Sequence, residues 1–192
     1  PPLMKLLTTK KERLIRMEYA PKPISQTTLV AFPIVLTLVV TYRWFRFSNT
    51  AYLMMAVLVF LHTIGGHFTF ERVPFGFITE LFHFQRNHYD RVAHFSVGLY
   101  AFAIMEYIER KRLSNSRALT ALFAVSTIFA TAAIYEIIEF LYAVFSDPTA
   151  GAAFLGSHGD IWDAQKDMLA DGLGSIAAAI FYLFWYRTIP DA

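Results

Sequence analysis

Histidines and acidic residues at helical spacing are the features of this chain that could do chemistry. Five of its six histidines lie between His62 and His94. Asp90 precedes His94 by four residues, so a helix would place both side chains on one face. Because the chain contains no cysteine, any bound metal would need nitrogen and oxygen ligands, a combination that suits Zn, Mn or Fe.

Two further acidic groups follow helical spacing toward the C-terminus. Steps of three, four and four residues separate Asp160, Asp163, Asp167 and Asp171. In a helix these four carboxylates form one stripe, and Asp171 lies roughly 16 Å beyond Asp160. In the preceding apolar segment, Glu136 and Glu139 are three residues apart and also share a face.

A pair of glycines separates two of the candidate histidines. His62 and His67 flank Gly65-Gly66, a pair that favours local loosening of a helix. If the helix continues past the glycines, His67 shares a face with Glu71.

Long apolar segments must position these groups. Hydrophobic residues make up 56% of the 192 residues and charged residues 17%, whereas soluble domains have about 25% charged residues. The apolar residues are concentrated in blocks, and a membrane helix needs roughly 17–25 of them. Five spans are predicted, at about Thr27–Phe45, Thr50–Phe70, Val92–Glu109, Ser116–Phe145 and Asp160–Tyr186. We therefore predict an all-α, multi-pass transmembrane helical bundle in which the lipid bilayer is the main partner.

The predicted domain organisation is simple. Residues 1–24 form a basic, partly amphipathic segment, either lying on anionic headgroups or serving as a solvated tail or partner contact. Residues 25–187 form one transmembrane helical domain, and residues 188–192 are a tail. No cleavable signal peptide is visible. The net charge of +2 and the lack of an aromatic-interleaved basic patch argue against nucleic acid as a partner.

The two long connections of a five-span topology fall on the same face of the membrane. They run from Glu71 to Arg91 and from Ser146 to Gly159, whereas the short Arg110–Arg117 connection on the other face is basic. The positive-inside rule puts short basic loops in the cytoplasm, although counting the basic N-terminal segment reverses the result. We favour an outer-face location for the polar groups.

Burying these charges in a membrane requires compensation. One charged residue at the bilayer centre costs about 2.5–3.5 kcal/mol on insertion scales. A bound cation, protons or nearby basic side chains could neutralise the carboxylates. The candidate basic side chains are Arg72, Arg86, Arg91 and Lys166.

The leading functional hypothesis is a metal-dependent membrane hydrolase that acts on a lipid or envelope-linked substrate. Its candidate ligands are His62, His67, Asp90, His94, Glu136 and Asp167. Glu139 or Asp163 would orient ligands or act as general base. Two alternatives remain open. One is a non-enzymatic binding or assembly protein with a structural polar cluster, and the other is a small proton-coupled transporter, which typically has broken helices near mid-membrane.

Several of these motifs resemble the YjdF-type bacterial inner-membrane family. They are His62–Phe70, Val73–Gly76, Arg86–Phe95, Tyr135–Glu139 and Gly159–Met168. The resemblance covers roughly residues 43–186 and implies a multi-pass fold in the inner membrane rather than an activity. Family members tend to carry an additional N-terminal span, which the basic segment replaces here.

A shorter set of residues is similar to the VanZ-like membrane proteins associated with glycopeptide resistance. The similar residues are Asp90–Phe95 and Asp167 with Asp171-Gly172 near Gly174. This similarity implies a role in envelope chemistry or envelope binding.

Overall fold

Helices form the described part of the chain, which comprises residues 26–68, 70, 72–145 and 160–185 of a computed structural model. The helices are α1 (Gln26–Thr41), α2 (Asn49–Phe68), α3 (Gly76–Leu81), α4 (Tyr89–Gly98), α5 (Tyr100–Arg110), α6 (Arg117–Phe145) and α7 (Asp163–Trp185). Several sequence predictions lie outside the described residues, namely the basic N-terminal segment, Glu71, the connection from Ser146 to Gly159, and the C-terminal tail.

Three of these helices are long and apolar enough to cross a membrane. They are α2, α6 and the Asp163–Phe184 part of α7, while α1 contributes a shorter apolar stretch, Phe32–Thr41. Large apolar side chains cover the outside of the bundle, as at Leu122 and Phe140 on α6. Such exposure is unfavourable in water but expected against lipid. The predicted class, an all-α multi-pass membrane bundle, is confirmed.

The third predicted span consists of two consecutive helices, α4 and α5. They meet at Leu99, whose N–H donates to the Ser96 carbonyl at 3.2 Å and whose own carbonyl accepts from Phe102 at 3.2 Å. These are bonds of the tighter three-residue type, so the chain keeps its direction across the junction. Residues 89–110 together measure about 33 Å at 1.5 Å per residue, which matches the thickness of a bilayer core of about 30 Å.

The Gly65-Gly66 pair lies within a continuous helix, contrary to the expected loosening. α2 continues to Phe68, and the chain then turns at Phe70, which has a positive φ of 41°. The Phe70 N–H donates to the Gly65 carbonyl at 2.6 Å. A β-carbon on Gly65 would overlap the Phe70 ring, so this glycine permits a close return of the chain.

α7 is the central element, because it packs against α4, α5 and α6. Small residues line much of the core, including Ala101 on α5, Ala124 on α6 and Ala178 on α7. Small side chains let membrane helices approach closely, which compensates for the weak hydrophobic drive between helices in lipid.

A buried carboxylate organises the basic end of the bundle, opposite the histidines. Glu106 accepts hydrogen bonds from the Ser48 N–H at 2.8 Å, the Ser48 hydroxyl at 2.6 Å and the Arg110 guanidinium at 2.6 Å. Ser48 also caps α2, since its Oγ accepts from the Ala51 N–H at 3.2 Å. These bonds join the start of α2 to the end of α5.

Candidate functional site

The site is built where α4 and α7 cross. A β-carbon on Gly98 of α4 would overlap the backbone of Gly174 and Ser175, and one on Gly174 would overlap the Phe95 carbonyl. Only residues without a side chain allow this backbone contact. Both helices enter from the same end of the bundle, so the acidic stripe of α7 runs beside Asp90 and His94 of α4.

His94 is the centre of this arrangement. Its Nε2 atom lies 3.5 Å from Asp167 Oδ1 and 3.8 Å from Asp90 Oδ1. Its Nδ1 atom lies 3.3 Å from Asp171 Oδ2, on the opposite edge of the ring. The imidazole therefore contacts three carboxylates from two helices.

Asp90, His94 and Asp167 have the geometry of a possible metal site. One ligand atom from each residue lies within 4.8 Å of the other two. Metal–ligand bonds of about 2.0–2.2 Å bring ligand atoms roughly 3 Å apart. The three ligand atoms are therefore farther apart than around a bound ion, and Asp167 Oδ1 also accepts a hydrogen bond from Arg91. These three are half of the ligand set predicted from the sequence.

The other predicted ligands occupy different positions. His62 is buried, packs edge-on against Phe70 at 5.4 Å between ring centroids, and interacts electrostatically with His94. His67 is exposed and packs against Phe68, at 4.7 Å between ring centroids. His62 thus lies on the His94 side of its helix, whereas His67 lies at the surface.

The α6 carboxylates face the same region. Glu136 is half-buried and interacts electrostatically with Asp167, His94 and Asp171. Glu139, one turn further along α6, shares a side-chain hydrogen bond with Tyr135. α6 thus adds two carboxylates to the polar cluster of α4 and α7.

Basic side chains pair with the outer part of the acidic stripe. Arg91 donates to both Asp163 and Asp167, and Arg86 donates to Asp163 at 3.1 Å. Asp163, predicted as an orienting residue or base, therefore accepts from two guanidinium groups. Sequence spacing did not single out Arg91 as a hydrogen-bond donor to two carboxylates at once.

Asp160 lies at the entrance to the site, just before α7 begins. Lys166 donates to its Oδ2 at 2.6 Å, and Arg86 lies 3.7 Å from the same oxygen. The hydrogen bond from Lys166 is the main cause that holds the pKa of the Asp160 carboxyl below its ordinary value. Arg72, a predicted counter-charge, is exposed.

Comparisons with known proteins agree with this architecture. The family model described as "Predicted membrane protein (DUF2238)" matches residues 14–188. The chain is 35% identical over 134 residues to the Inner membrane protein YjdF of Escherichia coli (strain K12), an alignment that covers 67% of the chain. The chain thus spans 64% of the length of that relative.

No solved structure matches the chain. The resemblance to the YjdF-type family is confirmed, and the relative and the apolar helices identify the bacterial inner membrane as the location. The family match extends over the seven helices of the described residues and over every residue of the polar cluster. The chain therefore belongs to the family of predicted membrane proteins designated DUF2238.

Proposed function

We propose that this protein holds a divalent transition metal ion between α4 and α7 and uses it to hydrolyse a lipid or envelope-linked substrate. The observation that carries the proposal is the convergence of Asp90, His94 and Asp167, whose ligand atoms lie within 4.8 Å of one another. Asp90 and His94 come from one helical turn and Asp167 comes from the facing helix.

The donor set supports a metal of the Zn, Mn or Fe type. One imidazole and two carboxylates are common ligands for these ions. Three protein ligands leave a coordination position open, which is typical of catalytic rather than structural sites. A bound ion would supply Lewis acidity and activate water at neutral pH.

Charge balance gives independent support for a cation. The carboxylates of the polar cluster outnumber its basic side chains. The carboxylates are Asp90, Asp160, Asp163, Asp167, Asp171, Glu136 and Glu139, and the basic side chains are Arg86, Arg91, Lys166 and the imidazole of His94. Since isolated charges are costly at membrane depth, an acidic excess favours binding of a cation.

The surrounding residues divide into two roles in this proposal. Asp163 is occupied by Arg86 and Arg91, so it holds the arginines in place. Glu136 and Glu139 have no such arginine partner among the described residues and approach the site from α6. They are therefore the candidates for proton transfer to or from the substrate.

The position of the site supports the proposed substrate class. Asp90 and His94 lie in the first turns of α4, and the outer surface of the adjacent α6 is apolar. A substrate with a polar group at the membrane surface and an acyl or polyprenyl tail would place its reacting group here while the tail stays in lipid.

A structural polar network is the second candidate function. Its support is the pairing of Arg91 with Asp163 and Asp167, which neutralises part of the stripe without an ion. In that case the cluster would hold α4 against α7 for binding or assembly with another component.

Metal content decides between the two. Detergent-purified protein would be stripped with a chelator and titrated with Zn²⁺ and Mn²⁺ by calorimetry and elemental analysis. We expect about one ion per chain. His94→Ala or Asp167→Asn should abolish binding, while His83→Asn, at an exposed loop histidine, should not. Absence of binding in the wild-type protein would favour the structural network.

A further inference from the structure

Asp171 is the most deeply buried acid of the α7 stripe. Its side chain is 2% exposed, and its Oδ2 atom lies 3.3 Å from His94 Nδ1. Among the described residues, its Oδ1 atom has no hydrogen-bond partner. The His94 ring is therefore the one hydrogen-bonding group that the described structure offers to this carboxylate.

The two nitrogens of His94 face different partners. Nε2 faces Asp90 and Asp167, whereas Nδ1 faces Asp171. Asp171 Oδ2 lies 3.3 Å from Nδ1, so a proton on this ring nitrogen would be donated to the carboxylate. A proton on Nδ1 leaves the lone pair of Nε2 free for an ion held with Asp90 and Asp167.

We propose that Asp171 is a positioning residue that keeps His94 protonated on Nδ1 and directs its Nε2 lone pair at the metal site. This inference rests on the proposed function, and it adds a residue that does not itself touch the ion. Metal-binding histidines usually donate their second ring N–H to a carboxylate or carbonyl, which fixes the tautomer and the ring orientation.

Packing on both sides of Asp171 fixes the backbone that carries its carboxylate. A β-carbon on the adjacent Gly172 would overlap the Phe129 ring of α6, and Gly174 lies against the backbone of α4. Ser175 next to it is fully buried and donates to the Gly172 carbonyl at 2.7 Å. α7 is thus held on two sides within one turn of Asp171.

The first test measures Zn²⁺ affinity in variants of Asp171. We expect Asp171→Ala to weaken binding by about 10–100-fold, the usual effect of losing such a partner. Asp171→Asn should recover most of the affinity, because its amide oxygen still accepts the Nδ1 proton. Glu109→Gln is the matched control, since Glu109 accepts from Tyr182 at the opposite end of the bundle. Wild-type affinity in Asp171→Ala would overturn the inference.

The second test identifies the metal-binding nitrogen directly and does not depend on the variants folding. Nitrogen-15 NMR of histidine-labelled wild-type protein with Zn²⁺ should show His94 bound through Nε2, with a proton on Nδ1. Coordination through Nδ1 would overturn the inference.

The same spectra separate the inference from the proposed function. Metal-free wild-type protein should show a downfield, hydrogen-bonded Nδ1 proton that is absent in Asp171→Ala. If that proton is present but Zn²⁺ does not bind, the metal site fails while the Asp171–His94 hydrogen bond stands. If Zn²⁺ binds and the proton is absent, the assignment of Asp171 fails and the metal site stands.

Discussion

Gly98 and Gly174 pack backbone against backbone, so closely that a β-carbon on Gly174 would lie 3.2 Å from the Cα atom of Gly98. This contact sets the register of two helices that enter from the same end of the bundle. One turn before Gly98 lies His94, and three residues before Gly174 lies Asp171. The crossing therefore brings the histidine and the acidic stripe together.

A methyl group at this crossing should disrupt both the fold and the site. In Gly98→Ala the new carbon meets the backbone of Asp171, Gly174 and Ser175, which cannot rotate away as a side chain could. We expect a loss of about 1–3 kcal/mol in unfolding free energy, typical of overpacking. Thermal melting in detergent measures the loss, and Zn²⁺ titration should show weaker binding.

Gly76→Ala is the matched control for this substitution. Gly76 begins α3, and a β-carbon there would meet nothing within 4 Å. Its melting temperature and Zn²⁺ affinity should equal those of the wild-type protein. Equal behaviour of Gly98→Ala and Gly76→Ala would show that the α4–α7 contact does not limit stability.

Removing the guanidinium of Arg91 tests whether a cation can replace its charge in the site. Arg91→Met leaves Asp163 and Asp167 without a shared donor. Breaking a buried ion pair typically costs about 3–5 kcal/mol. If a metal also binds Asp167, saturating Zn²⁺ should recover part of this loss, because an ion that binds only the folded state stabilises it.

Arg117→Met controls for the loss of an exposed ion pair. Arg117 lies 3.4 Å from Glu109 and is largely exposed, so its removal should cost under about 1 kcal/mol. Melting curves with and without Zn²⁺ compare the two variants. No rescue of Arg91→Met by any divalent metal would support the structural network.

Hydropathy predicted the class of protein, a helical membrane bundle, and residue spacing predicted which helix faces carry the polar cluster. Neither predicted the contacts between helices. The four-residue spacing of Asp90 and His94 correctly placed both on one face of α4. Spacing cannot tell which helix lies opposite that face or which histidines approach it, and the structure places His67 at the surface. Gly98 and Gly174, small residues within two apolar segments, are the sequence signal that could have located the crossing.

Two local features also needed three-dimensional information. The junction at Leu99 directly follows Gly98, and the contact of Gly98 with the backbone of α7 is not visible in the sequence. Gly65-Gly66 suggested a loosened helix, because the approach of the Phe70 ring to Gly65 is not visible in the sequence. In each case a glycine serves tertiary packing rather than local flexibility.

A substitution at the basic end of the bundle should lower the stability of the protein without changing its Zn²⁺ affinity. Glu106 is 1% exposed, and Glu106→Ala leaves the half-buried donors of Ser48 unpaired and removes a partner of Arg110. We expect a loss of about 1–3 kcal/mol, typical of donors left without a partner, with unchanged Zn²⁺ affinity in the folded protein. A denaturation curve measures the loss of unfolding free energy. A separate Zn²⁺ titration of the folded variant measures its affinity.

Ser48→Ala provides a graded comparison at the same end. It removes the cap of α2 and one hydrogen bond to Glu106, for which a cost of about 0.5–2 kcal/mol is typical. A change in Zn²⁺ affinity in either variant would mean that the two ends of the bundle are coupled.

The orientation of the bundle is the last prediction, and it follows from the distribution of charge. The basic residues Arg110, Lys111, Arg112 and Arg117 surround the short connection between α5 and α6. The positive-inside rule puts this connection in the cytoplasm and the site at the outer face.

Two exposed positions at opposite ends of the bundle can test this orientation. Asn115 is exposed in the connection between α5 and α6, and Gln85 is exposed in the loop before α4, at the other end. Since the chain has no cysteine, single cysteines at these positions report the orientation. An impermeant thiol reagent added to intact spheroplasts should label Gln85→Cys, and should label Asn115→Cys only after lysis. The reverse pattern would place the polar site on the cytoplasmic side and contradict the predicted orientation.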